Sequence, residues 1–347
     1  MRNTIALMSA RWIAIAVMVA FCTRGMAADP RLIEAAEKEG QLTVYGCDVS
    51  ETPMQVKRFS ELYPKIKVLT YVAGCWQIYN RHVHEKAAGK PLADIFYATE
   101  DVLSKLDDDH ETAAYESPEL ANFPASARPR GSLYSLYKVI LAGFATNTDV
   151  IDSKTAPQDW LDFVAPSPSW KSKISFYDPR TSSAAFTVLA SLEQNFGDQK
   201  AGDIYAGLKQ ADAELAPTTP VGVARLVSGE KPIMFYILTN QFGVMKAKGA
   251  PMEFIVPKSG AISMGFGVSL ASSAEHPNAA RLFVDYILSE GQNVVHARGE
   301  YGLRNGLAAP AGLPELGDIK IMPTDVKRAL ADQKKLLTWW QSTSGIQ

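Results

Sequence analysis

Lys173-Ile-Ser-Phe-Tyr-Asp-Pro-Arg-Thr-Ser-Ser-Ala-Ala-Phe186 is a strand, a turn and a helix start in one run. Ile174 to Tyr177 is rich in β-branched and aromatic residues. Asp178-Pro179 ends the strand, because proline has no N–H for the ladder. Thr181, Ser182 and Ser183 are good N-cap residues, and Ala184 onward favours helix. A strand feeding a helix N-terminus leaves backbone N–H groups unpaired and partly positive, which suits an anion. Arg180 adds a charged planar fork that matches a carboxylate or phosphonate. The competing reading gives this turn a purely structural job. Thr181 or Ser182 then caps the helix and Arg180 makes a surface ion pair. The stretch alone does not separate the two.

Outward from this unit the same alternation recurs. Asp29 to Glu39 has helical periodicity and stops at Gly40. Leu42–Tyr45 reads as a strand, Glu51–Leu62 as an amphipathic helix and Ile66–Val72 as a second strand. A helix then carries Ile78, Val83 and Ala87, and Ala93–Tyr97 is a third strand. This order predicts an α/β fold with an open, mostly parallel sheet flanked by helices. Such sheets bind ligands outside the carboxyl ends of their strands. Tyr45, Asp48, Trp76, Tyr97 and Thr99 fall at such ends. Leu133–Ala145 is long, extended and aromatic, as a strand crossing between two lobes would be, and Met264–Leu270 is a candidate for the return. Pro220–Val227 reads as a helix and Ile233–Ile237 as a buried strand. His276 opens a helix, and Thr324–Trp340 is an amphipathic tail helix.

The N-terminus reads as a secretory signal over residues 1–27. Arg2 and Arg11 precede the apolar run Trp12–Phe21, and Gly25-Met-Ala27 fits a small-x-small cleavage site. The run is short for a membrane span. Bulky Phe21 argues against Cys22 as a lipidation site. Cleavage removes Arg2, Arg11 and Arg24 and no acid, taking the formal charge from −2 to −5. With no basic tract, that excludes an electrostatic nucleic-acid footprint. The mature length suggests two domains or lobes. Cys47 and Cys75 remain, each after a predicted strand. In an oxidising compartment they are expected to form a disulfide. Free thiols are the alternative, and zinc spacing is absent.

The order of elements resembles the periplasmic solute-binding proteins of ABC importers, in the ferric-iron and small-anion branch. Gly40–Tyr45, Phe59–Val68, Ala93–Tyr97, Asp178–Ser182, Gly229–Ile233, His276–Tyr286 and Tyr301–Arg304 carry the resemblance. It implies the type II fold: two α/β lobes joined by crossing strands, with the ligand between them and closure by a hinge. Lobe 1 is then residues 28–138 and 261–347, including the C-terminal helix, and lobe 2 is residues 139–260. The implied partners are a membrane permease and its ATPase subunits, and the implied receptor is monomeric and binds no nucleic acid.

The chain departs from the ferric pattern. Where iron-binding members place adjacent tyrosines after the strand matching Ile233–Ile237, this chain has Thr239-Asn240. A histidine common after the first strand is replaced by Gly46-Cys-Asp-Val-Ser50. No metal site and no cofactor is expected. Thr239 and Asn240 suit a polar organic ligand. The expected ligand is a small organic anion: a carboxylate, phosphonate or phosphate ester. Arg180, Thr181, Ser182 and Ser183 would hold its anionic end, and Tyr45, Trp76, Tyr97, Thr99, Thr239 and Asn240 would shape the rest. Asp48 is either an amine partner or a solvated loop residue. A ferric protein with non-standard ligands or a synergistic anion is the alternative. A periplasmic enzyme is a second, though HExxH, GxSxG and P-loop motifs are all missing. His82-Val-His84 is not a helical metal pair, since i and i+2 do not share a face.

Overall fold

The computed structural model describes residues 29–129 and 131–345. The expected signal peptide and Cys22 lie outside them. The first segment runs α1 (Pro30–Glu39), β1 (Gln41–Gly46), α2 (Thr52–Leu62), β2 (Lys67–Val72), α3 (Cys75–Ala87), β3 (Ile95–Thr99), α4 (Glu100–Asp108) and β4 (Thr112–Ala113). Asp29 caps α1 by accepting from the Arg31 N–H at 2.9 Å. Gly40 ends it at φ +68°, where a side chain would be strained. Strands β1, β2 and β3 pair in parallel with β1 in the middle, as the alternation predicts.

Next come β5 (Ser135–Asn147), β6 (Ile174–Phe176), α5 (Ser183–Gln210), β7 (Glu214–Leu215), α6 (Thr219–Ser228), β8 (Ile233–Leu238), α7 (Thr239–Ala247) and β9 (Met252–Ile255). Helix α5 is two helices joined across a kink at Gly197, which sits at φ 78°. The chain returns through β10 (Ala261–Ala271), α8 (Pro277–Leu288), α9 (Gly291–Ala297), β11 (Tyr301–Gly302) and β12 (Ile321–Met322). It finishes in α10 (Val326–Ala331) and α11 (Gln333–Ser344).

The sheet order is β2-β1-β3-β10-β5-β8-β6-β7. Strands β5 and β10 are the two long crossing strands. They pair antiparallel from Ile262–Ala142 to Val268–Ser135. Strand β10 also pairs with β3, and β5 with β8. Buried apolar side chains form two large cores. One takes Leu136 and Tyr137 from β5, Tyr134 just before it, and Val268, Leu270 and Ala271 from β10. The other takes Leu141 to Ala145 from β5 with Ala261 and Ile262 from β10. Each crossing strand therefore leaves one core and enters the other about midway. In the second core Phe144, Trp160, Phe163 and Phe235 pack edge to face, the geometry that aromatic quadrupoles favour.

The tail differs from expectation in two ways. It is two helices, broken at Asp332, not one. It also packs on the second core as well as on the segment it was grouped with. Trp340 is buried in the second core, edge-on to Tyr205 at 6.0 Å. Arg328 of α10 pairs with Glu193 of α5 at 2.7 Å. Lys327 reaches the other way, to Asp108 of α4 at 2.6 Å. The tail thus touches both halves of the molecule.

Candidate functional site

Between the two cores lies a cleft of about 380 Å³. Its floor is the crossing strands, through Ile140, Met264 and Phe266. One wall is the loop after β1 (Cys47, Asp48, Val49) with Cys75, Trp76, Thr99 and Glu100. The opposite wall is the start of α5 (Ser183, Ala184, Thr187) with Asn240, and Val326 of the tail closes one side. A smaller recess of about 160 Å³ adjoins it. Trp76, Arg180, Thr181, Ser182 and Ser183 line that recess together with α10 residues. The disulfide Cys47–Cys75 is present, with Cα atoms 4.7 Å apart. It staples the loop after β1 to the first turn of α3, because those two strands are parallel neighbours.

The start of α5 has a definite hydrogen-bond state. Ser182 Oγ accepts from the Ala185 N–H at 3.2 Å, and Phe186 N–H donates to the Ser182 carbonyl. The Ser183 and Ala184 N–H groups find no acceptor among the described residues, and both residues line the cleft. Unpaired N–H groups at a helix start hold an anion well. Arg180, by contrast, is held by its own turn. Its Nη2 donates to Asp178 Oδ2 at 2.6 Å and its Nε to Oδ1 at 2.9 Å. Its guanidinium also lies 5.4 Å from the Trp340 ring. The ion-pair reading of Arg180 is therefore realised, and the residue still borders the recess.

Of the ten expected ligand residues, seven line these cavities: Arg180, Thr181, Ser182, Ser183, Trp76, Thr99 and Asn240. Three do not. Tyr45 is buried and donates to Glu85 at 2.6 Å. Burial and then Glu85 push its phenol pKa upward. Tyr97 is buried, donates to Glu51 at 2.7 Å and stacks on Tyr137 at 5.0 Å. Both sit on strands flanked on either side, β1 between β2 and β3, and β3 between β1 and β10, with both faces covered. The residues that reach the cleft are in the loop after β1 (Cys47, Asp48, Val49) and at the junction of β3 with α4 (Thr99, Glu100). Thr239 is buried too, and its Oγ1 accepts from the Leu141 N–H at 3.1 Å. It ties α7 to β5.

Sequence reading missed a buried charge network under the cleft floor. Lys138 of β5 is fully buried. Its Nζ donates to Asp48 at 3.0 Å, to Glu300 at 2.6 Å and to Glu51. Arg298 donates to Glu300 at 2.9 Å. Burial opposes the charge on Asp48. Lys138, the Glu51 N–H and the Ser50 hydroxyl outweigh that and hold its pKa down at about 2. Burial likewise opposes the charge on Lys138, and the three carboxylates overcome it and raise its pKa. Ligand atoms of Asp48, Glu51 and Glu300 lie within 4.8 Å of one another, a spacing that could suit a metal. The Lys138 ammonium already takes that place.

A model of the bacterial extracellular solute-binding protein family matches residues 90–314. The chain belongs to the bacterial extracellular solute-binding proteins. Its function is transport, as the solute receptor of an ABC-type importer. Among curated proteins, an uncharacterized protein of Haemophilus influenzae is 27% identical over 302 residues, covering 83% of each chain. Among solved structures, iron-bound HitA of Pseudomonas aeruginosa is similar at a TM-score of 0.73 and 23% identity, over 85% of this chain and 99% of that one. AfuA of Actinobacillus pleuropneumoniae, with exogenous fructose-6-phosphate bound, gives 0.72 and 24%, over 89% and 99%. The Trichodesmium protein IdiA (FutA), in complex with iron and citrate, gives 0.73 and 17%, over 89% and 100%. At these identities the likeness is one of fold, and the two-lobed periplasmic-binding architecture is shared.

Proposed function

We propose that this receptor is exported to the periplasm by a cleaved signal peptide and binds a small organic anion there. The ligand is a carboxylate, phosphonate or phosphate ester. It sits in the cleft between the loop after β1, the junction of β3 with α4 and the start of α5, and the receptor delivers it to a permease. The observation that carries this reading is the pair of unpaired N–H groups at Ser183 and Ala184, facing the cleft of a solute-binding fold. Ser182 and Asn240 are placed to add polar contacts, and Trp76 to pack on the organic part. The hinge is proposed in β5 between Tyr137 and Leu141 and in β10 between Ile262 and Val268, where the strands pass from one core to the other. The tail is assigned to both halves.

The iron-bound relatives mark the rival reading. Against it stand Thr239, whose hydroxyl is spent on Leu141, and Tyr236. That phenol is buried with its OH 3.4 Å from Ser182 Oγ, and burial raises its pKa.

The test is Ser183→Pro. Proline fits the first helical position, and Ser182 already has the extended backbone (φ −115°, ψ 117°) that a following proline demands. The substitution removes one N–H without breaking the helix. A charge-assisted hydrogen bond is worth about 1.5–3 kcal/mol. Anion affinity measured by calorimetry should fall by roughly 10- to 150-fold. Ser183→Ala, which keeps the N–H, should fall far less. Equal affinity for wild type and Ser183→Pro would place the anion elsewhere.

A further inference from the structure

We infer that the ligand carries a cationic group beside its anionic one, and that the Glu100 carboxylate receives it. This rests on the anion reading above and names the class within it: an amino-substituted phosphonate, phosphate ester or carboxylate.

The cleft lining contains no Lys, Arg or His, yet it contains Asp48, Glu100 and Asp101. Asp48 is neutralised from behind by Lys138. Neither Glu100 nor Asp101 forms a hydrogen bond or ion pair among the described residues. Glu100 is partly buried, and its charge is opposed by burial and then by neighbouring Asp101, which raise its pKa. A partly buried carboxylate without a partner costs stability unless something else supplies the partner. Thr99, beside it, carries a hydroxyl oxygen shut off from solvent with no hydrogen-bond partner among the described residues. An unpartnered carboxylate and an unsatisfied hydroxyl thus lie side by side on one wall, across the cleft from the N–H donors of the α5 wall. A purely anionic ligand would be repelled by the first wall. A ligand with an ammonium at one end and an anion at the other satisfies both.

The experiment uses pairs of probes that differ only in the ammonium: 2-aminoethylphosphonate with ethylphosphonate, phosphoethanolamine with ethyl phosphate, and β-alanine with propionate. Binding of each to the full mature chain is measured by calorimetry, for wild type and for Glu100→Gln. Wild type should prefer the amino member of at least one pair by tenfold or more. Glu100→Gln should erase that preference while keeping or improving affinity for the unsubstituted member. Unliganded Glu100→Gln should melt no lower than wild type, because it loses an unpartnered charge. Glu100→Asp should recover part of the preference.

Equal binding of both members of every pair, or a preference that survives in Glu100→Gln, overturns the inference and leaves the anion reading standing. Binding of a diamine such as putrescine, with no anion bound, overturns the anion reading instead. Binding of ferric ion alone, lost in Glu100→Gln, assigns the carboxylate to a metal and overturns the ammonium. No binding by any of these probes refutes both for ligands of this size.

Discussion

Replacing Lys138 with methionine removes an ammonium from the centre of three carboxylates and leaves a side chain of similar length. Asp48 is held at about 2 against an ordinary 3.8, a difference worth about 2.4 kcal/mol of stability. Because the folded value is depressed, that contribution is complete above pH 3.8 and is lost as pH falls through 2. Glu51 and Glu300 lose the same partner, while Arg298 still holds Glu300. Leaving buried carboxylates uncompensated costs about 3–5 kcal/mol in comparable sites. Lys138→Met should therefore be destabilised by about that amount at pH 7.5, read from urea unfolding midpoints. The gap to wild type should narrow at pH 3, where Asp48 of the variant takes up a proton and its repulsion disappears. A gap below about 1 kcal/mol at pH 7.5, or one equal at both pH values, would refute the assignment of this network as a stabilising unit.

Three further outcomes separate structural from binding roles. Cys47→Ser with Cys75→Ser opens a loop closed over a sequence separation of 28. It should cost about 3–4 kcal/mol by the chain-entropy relation, checked by denaturation with and without reductant. Thr239→Val strands the Leu141 N–H and should cost about 1–3 kcal/mol of stability, with ligand affinity unchanged by calorimetry. Trp340→Ala empties a buried site in the second core and should cost about 3–5 kcal/mol.

The strand–helix alternation made the sheet legible in advance, including the two crossing strands and the cysteine pairing. Periodicity and turn residues act locally, so they survive the absence of tertiary information. The same logic put the helix cap among Thr181, Ser182 and Ser183, and α5 is capped by Ser182. It misplaced Tyr45 and Tyr97 because strand alternation does not reveal which strands are central. Flanked by β2 and β3, β1 buries Tyr45 as it buries Val44. The side chains that reach the cleft sit two or three residues further on, at Asp48, Thr99 and Glu100. Lys138 was invisible for a related reason. A lysine within Leu133–Ala145 reads as an outward residue, and its partners are distant in sequence. Glu300 is 162 positions away. The tail was legible as amphipathic, though not the core on which it docks, since an apolar stripe does not specify its partner.

The central claim is an organic anion in the cleft, and native mass spectrometry of mature protein purified from the periplasm without refolding tests it most directly. The account predicts a bound organic mass that is lost on denaturation, with a denatured chain two hydrogens lighter than the reduced form. A bound iron mass in place of the organic one would contradict it.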